Sequence, residues 1–535
     1  MVASVVGRSR GLPWSEQDVW LIIYPDQFGA SGLSGVAEVA AALMPEINGV
    51  HLLPFHPSSS DGGFSVEDYA RVDSAFGSWT DVETIGASGR LMADAVINHV
   101  SAQGAWFRSH LAGEPGVADF FRVVPDGTDL GAVARPRPGS PVTRFTRADG
   151  SSAQYWTTFS PDQVDLDYRS PEVLLAVCEA IFRYVAAGAS AIRLDAIAFI
   201  GKDPATTSMH RPETHTVVAL IRDCLHEIDP GVVLITETNV PHQDNIAYLG
   251  PTARPEAHAV YQFTLAPLVL HAVQTGDVVP LIAWAAQLET SPGTTVLNFL
   301  ASHDGVGVRP AHGWLSPDQI EALADRCREA GGEVNEAATA SGTEPYELAA
   351  TWRALCEVGM GAPFTPDQLA ARHLATHAVS LALAGIPLLY SHSLAASPNA
   401  NDRRNRTGIA RDLNRGRFDS SAAFLGLLAS DVVARRVWPR LREMLRWRQA
   451  SPAFHPDALQ RVVEAPPGVV AIEREGGGDL VLIVTNLGGS AATLELGPGW
   501  RPMADAGSVI EHLEIGPWES SWLKRAPETG VASAR

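Results

Sequence analysis

Between about residues 20 and 450 one pattern repeats, and few folds accommodate it. Short apolar runs that read as strands alternate with stretches of helical spacing. The runs are 20–24, 49–54, 90–99, 191–196, 232–237, 260–265, 295–304 and 386–390, and polar residues gather at their C-terminal ends. Strand–helix alternation predicts a parallel sheet with crossover helices, with the functional residues along the C-terminal sheet edge. About eight units fit, so the expected fold is an α/β protein of the (β/α)8 TIM-barrel type. No Gly-x-Gly-x-x-Gly follows the first strand, which argues against a dinucleotide-binding open sheet.

Two interruptions and a tail shape the expected domains. The stretch 102–165 is irregular and rich in Pro, Gly and Arg, too long for a simple connection, and reads as an inserted domain or lid after strand 3. A second insertion is expected over 305–365. Ser170-Pro171-Glu172 predicts a helix start, with a polar cap, Pro at the first position and an acid behind it. After Pro452 helical periodicity stops, and short strands separated by Gly-rich turns predict a small antiparallel β-domain. The expected division is a catalytic barrel over 1–453 and a C-terminal β-domain over 454–535.

Composition narrows the partners. The formal net charge of −20 disfavours nucleic acid and leaves a small substrate open. Cys178, Cys224, Cys327 and Cys356 are scattered without metal spacing, and read as reduced core residues of a cytoplasmic protein. No apolar N-terminal run marks a signal peptide, and no run of about 18 apolar residues marks a membrane span. Oligomeric state is not readable. Lysine occurs only at 202 and 524, which singles out Lys202, close behind the strand at 191–196.

That strand carries Arg193 and Asp195 on one face, because side chains alternate along a strand. Taken alone, the two read equally well as a functional pair or as a buried ion pair that only orients the strand. Other strand ends weigh on the choice: Asn98-His99, Glu237 and His303-Asp304 should converge with them at one mouth if the barrel closes. Two carboxylates facing one bond suit glycoside cleavage, one ionised to attack carbon and one protonated to release the leaving oxygen. Arg193 favours the ionised form of Asp195, whereas Glu237 lies between Thr236 and Thr238 with no adjacent cation. No metal ligation is expected, since a spacing such as His-x-x-x-His is missing.

Four ordered segments, Asp94-Ala95-Val96-Ile97-Asn98-His99, Ile192-Arg193-Leu194-Asp195-Ala196, Ile235-Thr236-Glu237 and Ser302-His303-Asp304, resemble the motifs of the α-amylase superfamily of retaining glycosidases and transglycosylases. The resemblance implies Asp195 as nucleophile, Glu237 as general acid/base and Asp304 as transition-state stabiliser, with Arg193, His99 and His303 on the sugar. Gly63-Phe64-Ser65-Val66-Glu67-Asp68-Tyr69, Trp156-Thr157-Thr158-Phe159-Ser160 and Arg411-Asp412-Leu413-Asn414-Arg415 look like the sucrose-phosphorylase branch. That branch implies Asp61 and Arg411 on the terminal hydroxyls of one glucosyl unit, with Phe64 and Phe159 as aromatic walls. The segments 198–202, 210–215, 305–310, 341–348 and 403–408 depart from sucrose phosphorylases and resemble glucosylglycerate phosphorylases.

The resemblance therefore implies transfer of glucosyl from a small α-glucoside, preferably glucosylglycerate, to phosphate. Sucrose phosphorolysis, or hydrolysis and transglucosylation by the same double displacement, are the alternatives. Inorganic phosphate is the co-substrate, with no cofactor and no metal. Arg135, Arg137, Lys202, Arg309 and Arg403 are candidates for phosphate or an anionic acceptor.

Overall fold

A computed structural model describes residues 13–525 apart from 138, 290, 292, 340, 341 and 505–507. Eight parallel strands close a barrel: β1 (Trp20–Ile23), β2 (Gly49–Leu52), β3 (Arg90–Val96), β4 (Ala191–Asp195), β5 (Val233–Thr236), β6 (Ala259–Tyr261), β7 (Thr295–Asn298) and β8 (Ile386–Tyr390). Each pairs with its neighbour in sequence, and β8 pairs back with β1 through Leu21↔Leu389. Every residue of β4 is buried, as expected of a strand with barrel core on one face and helices on the other. The register Asp94↔Arg193 and Val96↔Asp195 sets β3 and β4 side by side at the floor of the mouth.

Helices cover the outside: α1 (Gly32–Leu43), α2 (Trp79–Ser88), α3 (Pro171–Ala186), α4 (Pro212–Ile228), α5 (Leu265–Thr275), α6 (Pro366–Ala382) and α7 (Ala434–Gln449). Between β5 and β6 the crossover shrinks to a single short helix (His242–Ile246) and a 3-10 turn. In α3 the residues Val173, Val177, Ile181 and Tyr184 recur at helical spacing and are all buried. The expected cap at its start differs in detail. Ser170 takes the N-cap position, but its hydroxyl donates to Glu172 at 2.8 Å instead of accepting from the backbone.

Three strands end three residues or more before their apolar runs predict, among them β6, which stops at Tyr261. β3 stops at Val96, and His99–Ser101 forms a separate short strand antiparallel to Gln163–Asp165, the two lips of the first insertion. β7 stops at Asn298, whose ladder to β8 ends on Pro387, a residue without an N–H. His303 and Asp304 therefore sit in a loop past the strand end. Inside the first insertion lie a helix (Ala105–Leu111) and a three-stranded sheet. The segment after β7 holds a helix (Pro317–Glu329) and a hairpin, Glu333–Thr339 with Gly342–Ala349, that pairs with Val306–Gly307.

The C-terminal antiparallel sheet has six strands, β9 (Leu459–Val463), β10 (Val469–Gly476), β11 (Asp479–Asn486), β12 (Ala492–Pro502), β13 (Ile510–Ile515) and β14 (Ser520–Arg525), in the order β9-β10-β11-β14-β12-β13. The sequence pattern marked only β10, β11 and β12; β9 and β13 lack a continuous buried face and so lack an apolar signal. No helix of the described residues is long and apolar enough to cross a membrane.

The sheet is seated on the barrel by Arg474, fully buried, which donates to the carbonyls of His455 (3.0 Å), Leu459 (3.2 Å), Ala458 and Ala382 (both 3.3 Å). Burial, with Arg448 nearby, pushes this guanidinium down to about 9. Arg474→Met strands those carbonyls and should lower the unfolding free energy by about 3 kcal/mol, read from urea denaturation at constant m. An unchanged midpoint would show that other groups satisfy them.

Candidate active site

One guanidinium organises the floor. Arg193 is 1% exposed, and its Nη1 donates to Asp94 and, at 2.9 Å, to Asp195 Oδ1. Its Nη2 lies 3.8 Å from Glu237 Oε2. Asp94 is held from below by His51 Nε2 at 2.9 Å, and His51 is held in turn by the Tyr261 hydroxyl at 2.8 Å. The guanidinium also lies 5.1 Å from the Tyr261 ring centroid and 5.9 Å from that of Phe64. Directly after Asp195 the chain turns through Ala196, which holds a left-handed φ of 49°. That turn aims the Ala196 N–H at Glu237 Oε2, 2.9 Å away. A non-glycine residue in this conformation costs about 1–3 kcal/mol, and here it ties the ends of β4 and β5 together.

Charge is crowded in this floor. Burial pushes up the carboxyls of both Asp195 and Glu237; Arg193 opposes it, and neighbouring acids add to it. Asp94 goes the other way, to about 2, because Arg193 and His51 outweigh its burial. One cation cannot neutralise Asp94, Asp195 and Glu237 together, so the cluster retains a proton. Burial raises Asp195 even more than Glu237, but the hydrogen bonds favour Glu237 as the holder: Asp195 accepts directly from Arg193, whereas Glu237 has one backbone N–H and a distant Nη2. The expectation that Glu237 has no cation near it needs correcting, because barrel closure brings Arg193 to it from the neighbouring strand. Two buried carboxyls of opposite protonation on one guanidinium can donate a proton and attack carbon on the same substrate.

Above the floor two further acids are gripped by arginine. Asp61 lies 2.9 Å from Arg137 and 3.9 Å from Arg415. Burial alone would raise its carboxyl, but Arg137, Arg411 and Arg415 hold it well below the usual carboxylate range. Asp304 Oδ1 lies 2.6 Å from Arg411 and 3.7 Å from Arg415. Arg411 is gripped from its other side by both oxygens of buried Glu347, at 2.9 and 2.6 Å. His99 Nε2 is within hydrogen-bond reach of the Phe64 carbonyl at 2.8 Å and of Gln163 at 3.0 Å. The Phe64 ring stacks on His303 at 4.8 Å, and Phe159 packs 5.3 Å from His99. Burial lowers the pKa of His99 and His303, so both imidazoles are neutral and offer hydrogen bonds without adding charge. The cavity between these groups is small and narrow, with Asp195, Glu237 and Asp304 in its wall.

Residues 31–306 match the catalytic domain of α-amylase. The chain belongs to the α-amylase family. Among its relatives is the glucosylglycerate phosphorylase of Allomeiothermus silvanus, 44% identical over 86% of this chain and 84% of that protein. The glucosylglycerate phosphorylase of Escherichia coli K12 is 37% identical over 97% of this chain and 94% of its own length. A sucrose phosphorylase of Agrobacterium vitis is 32% identical, covering 82% and 89%. Among solved structures, sucrose 6F-phosphate phosphorylase from Thermoanaerobacter thermosaccharolyticum shares the fold, with a TM-score of 0.77 at 22% identity over 90% of this chain and 94% of that one.

Within this family fold, ten of the fifteen residues singled out from sequence meet at the mouth, and Arg137 joins them: Asp61, Phe64, His99, Phe159, Arg193, Asp195, Glu237, His303, Asp304 and Arg411 surround the cavity or its floor. Arg135 does not line it; its guanidinium donates to the Gly139 carbonyl within its own loop at 3.2 Å. Lys202 is buried in the wall behind, ion-paired with Asp165 at 2.5 Å and donating to Asn98 at 2.8 Å, so its role there is to brace the insertion. Arg403 faces away and pairs with Asp412 at 3.1 Å. Arg309 opens the 3-10 turn after Val306–Gly307 and is half-buried beside the mouth. Asp61 and Arg411 both line the cavity, as expected of sugar contacts, but they do not pair with each other. Arg411 is spent on Asp304 and Glu347, and the contacts to Asp61 come from Arg137 and Arg415.

Arg415, Gln163, Glu347 and Asp94 were not singled out. Arg415 and Asp94 lie inside the recognised motifs, so their signal was present. Gln163 and Glu347 reach the site only through the pairing of the two insertions, for which the sequence carries no register signal.

Asp94 raises the proton affinity of both Asp195 and Glu237. In Asp94→Asn that repulsion is gone and Arg193 turns more fully to the two carboxyls. The alkaline limb of the kcat/KM profile, set by loss of the Glu237 proton, should move to lower pH. A shift to higher pH, or none, would contradict the charge assignment.

Proposed function

We propose that this enzyme is a retaining α-glucoside phosphorylase that transfers glucosyl from glucosylglycerate to phosphate, giving α-glucose 1-phosphate and glycerate. It is a glycosyl-transferring enzyme of the α-amylase family, with relatives that phosphorolyse small α-glucosides. The observation that carries the choice is the closed back of the cavity. In this reading Asp61, with Arg415 behind it, closes the cavity behind a single sugar ring while Arg137 reaches in from the inserted loop, which suits a short glucoside over an internal segment of a polysaccharide.

The chemistry follows from the floor. Protonated Glu237 gives its proton to the glycosidic oxygen, and glycerate leaves as the alcohol. The Asp195 carboxylate, steered by Arg193, bonds to the anomeric carbon and forms a β-glucosyl ester. Phosphate then attacks that carbon while Glu237 recovers the proton, and the ester bond to Asp195 breaks. Asp304, held by Arg411, faces the positive charge that develops on the ring. His99, His303 and Asp61 take the sugar hydroxyls, with Phe64 and Phe159 as its apolar walls. Arg137, the cation of the inserted loop that reaches the cavity, is the choice for phosphate.

In this reading no metal is needed; among the described residues no group of three or more His, Cys, Asp or Glu is arranged to hold one. Activity should therefore survive exhaustive chelation. The protein is proposed to act in the cytoplasm on small molecules.

Incubation of glucosylglycerate with enzyme should release α-glucose 1-phosphate in proportion to added phosphate. Free glucose appearing equally fast without phosphate would make the enzyme a hydrolase. Sucrose as the faster donor would make it a sucrose phosphorylase. Glu237→Gln should lose about 10²–10⁴-fold in kcat, with the loss smaller for a glucosyl donor whose leaving group needs no proton, such as α-glucosyl fluoride. An equal loss on both donors would remove the proton-transfer role.

A further inference from the structure

An anionic acceptor must find a cation that is not already neutralised. Each arginine in the wall or floor of the cavity has an acid partner. Arg193 serves Asp94 and Asp195, Arg137 serves Asp61, Arg411 is shared by Asp304 and Glu347, and Arg415 lies between Asp61 and Asp304. Arg309 differs. Among the described residues its guanidinium has neither an ion pair nor a side-chain hydrogen bond, and it is half-buried.

The backbone places Arg309 at the acceptor end. Gly305 lines the cavity, Gly307 pairs with Glu347, and the Val308 N–H donates to the Tyr346 carbonyl at 3.1 Å. Gly307 also packs so closely on Asn239 that a Cβ there would lie 2.6 Å from Asn239 Oδ1. Asn239, two residues past Glu237, lines the cavity, and its buried Oδ1 has no hydrogen-bond partner. The β4 loop brings in His210, whose N–H donates to the carbonyl of the cavity residue Ala198 at 3.1 Å. His210 holds a left-handed φ of 50°, its Nδ1 is met by the Tyr248 hydroxyl at 3.0 Å, and its buried Nε2 is unpartnered. The charge of Arg309 is felt by both Tyr346 in the cavity wall and His210, so the guanidinium lies near the hairpin and the β4 loop alike.

We propose that Arg309, with Asn239 and His210 beside it, forms the subsite for the acceptor's carboxylate, distinct from Arg137 of the inserted loop. The ligand class is a small hydroxy-carboxylate whose hydroxyl faces Glu237 and whose carboxylate pairs with Arg309. This deepens the phosphorylase reading and rests on it. It divides the two anions of the reaction between two cations: phosphate to the inserted loop after β3, hydroxy-acid to the segment after β7. The enzyme can then discriminate against neutral polyols of the same length without weakening its hold on phosphate.

The test runs the reaction in the synthetic direction, with glucose 1-phosphate as donor and D-glycerate or glycerol as acceptor. Arg309→Ala should raise KM for glycerate about 10- to 100-fold, the worth of one charge-assisted contact, with Arg309→Lys in between. KM for glucose 1-phosphate and the rate with glycerol should stay within about twofold. Arg137→Ala should do the reverse, raising KM for phosphate in phosphorolysis more than KM for glycerate. A glycerate KM unchanged in Arg309→Ala, or one raised equally with that for phosphate, overturns the assignment while leaving the phosphorylase reading intact. A wild-type enzyme that glucosylates no hydroxy-acid overturns the glucosylglycerate reading, and this subsite with it. Should the alanine variant fold poorly, as judged by its thermal midpoint, Arg309→Lys and Arg309→Gln carry the same comparison.

Discussion

The floor of the mouth depends on a guanidinium buried among three acids. Desolvating Arg193 costs several kcal/mol, and that cost is offset only because Asp94, Asp195 and Glu237 all lie within its reach. The reverse also holds. Without Arg193 the three carboxyls could not remain in one dry cavity, and two of them would hold protons. The arrangement is thus both an ion cluster that locks β3, β4 and β5 in register and the device that sets different protonation states for two neighbouring acids. His51 and Tyr261 extend it inward as a hydrogen-bonded column from β2 and β6. Five consecutive strands of the barrel are joined through it.

A second layer of charge sits above the first and is built differently. Asp61, Asp304 and Glu347 are held by Arg137, Arg411 and Arg415, and these residues come from loops and insertions. The floor is therefore as rigid as the barrel, while the upper layer is as adjustable as the segments that carry it. Such a division suits an enzyme whose chemistry on the anomeric carbon is constant but whose leaving group and acceptor vary among relatives.

The sequence was most legible where strand ends carry charge. Arg193, Asp195, Glu237 and Asp304 stand out because a buried run that ends in an acid is rare unless it is used. The closed barrel was legible for a similar reason, since strand–helix alternation over eight units leaves few alternatives. What misled was proximity along the chain. Lys202 follows Asp195 by seven residues, yet it turns away from the cavity to buried Asp165. Arg135 and Arg137 share one loop, and only Arg137 faces the cavity. Glu237 has no charged neighbour in sequence, and its cation comes from the adjacent strand.

By itself, then, the sequence determined the barrel and the acids at its strand ends, because local hydrophobic period and strand-end polarity are encoded residue by residue. Only the tertiary structure decided which arginine meets which acid. That depends on strand register, on the left-handed turn at Ala196 and on the docking of a hairpin from residues 333–349 against the mouth. Long-range pairing of this kind leaves no periodic trace in the chain. It is nevertheless what separates Arg411, spent on two carboxylates, from Arg309, which still has a charge to offer.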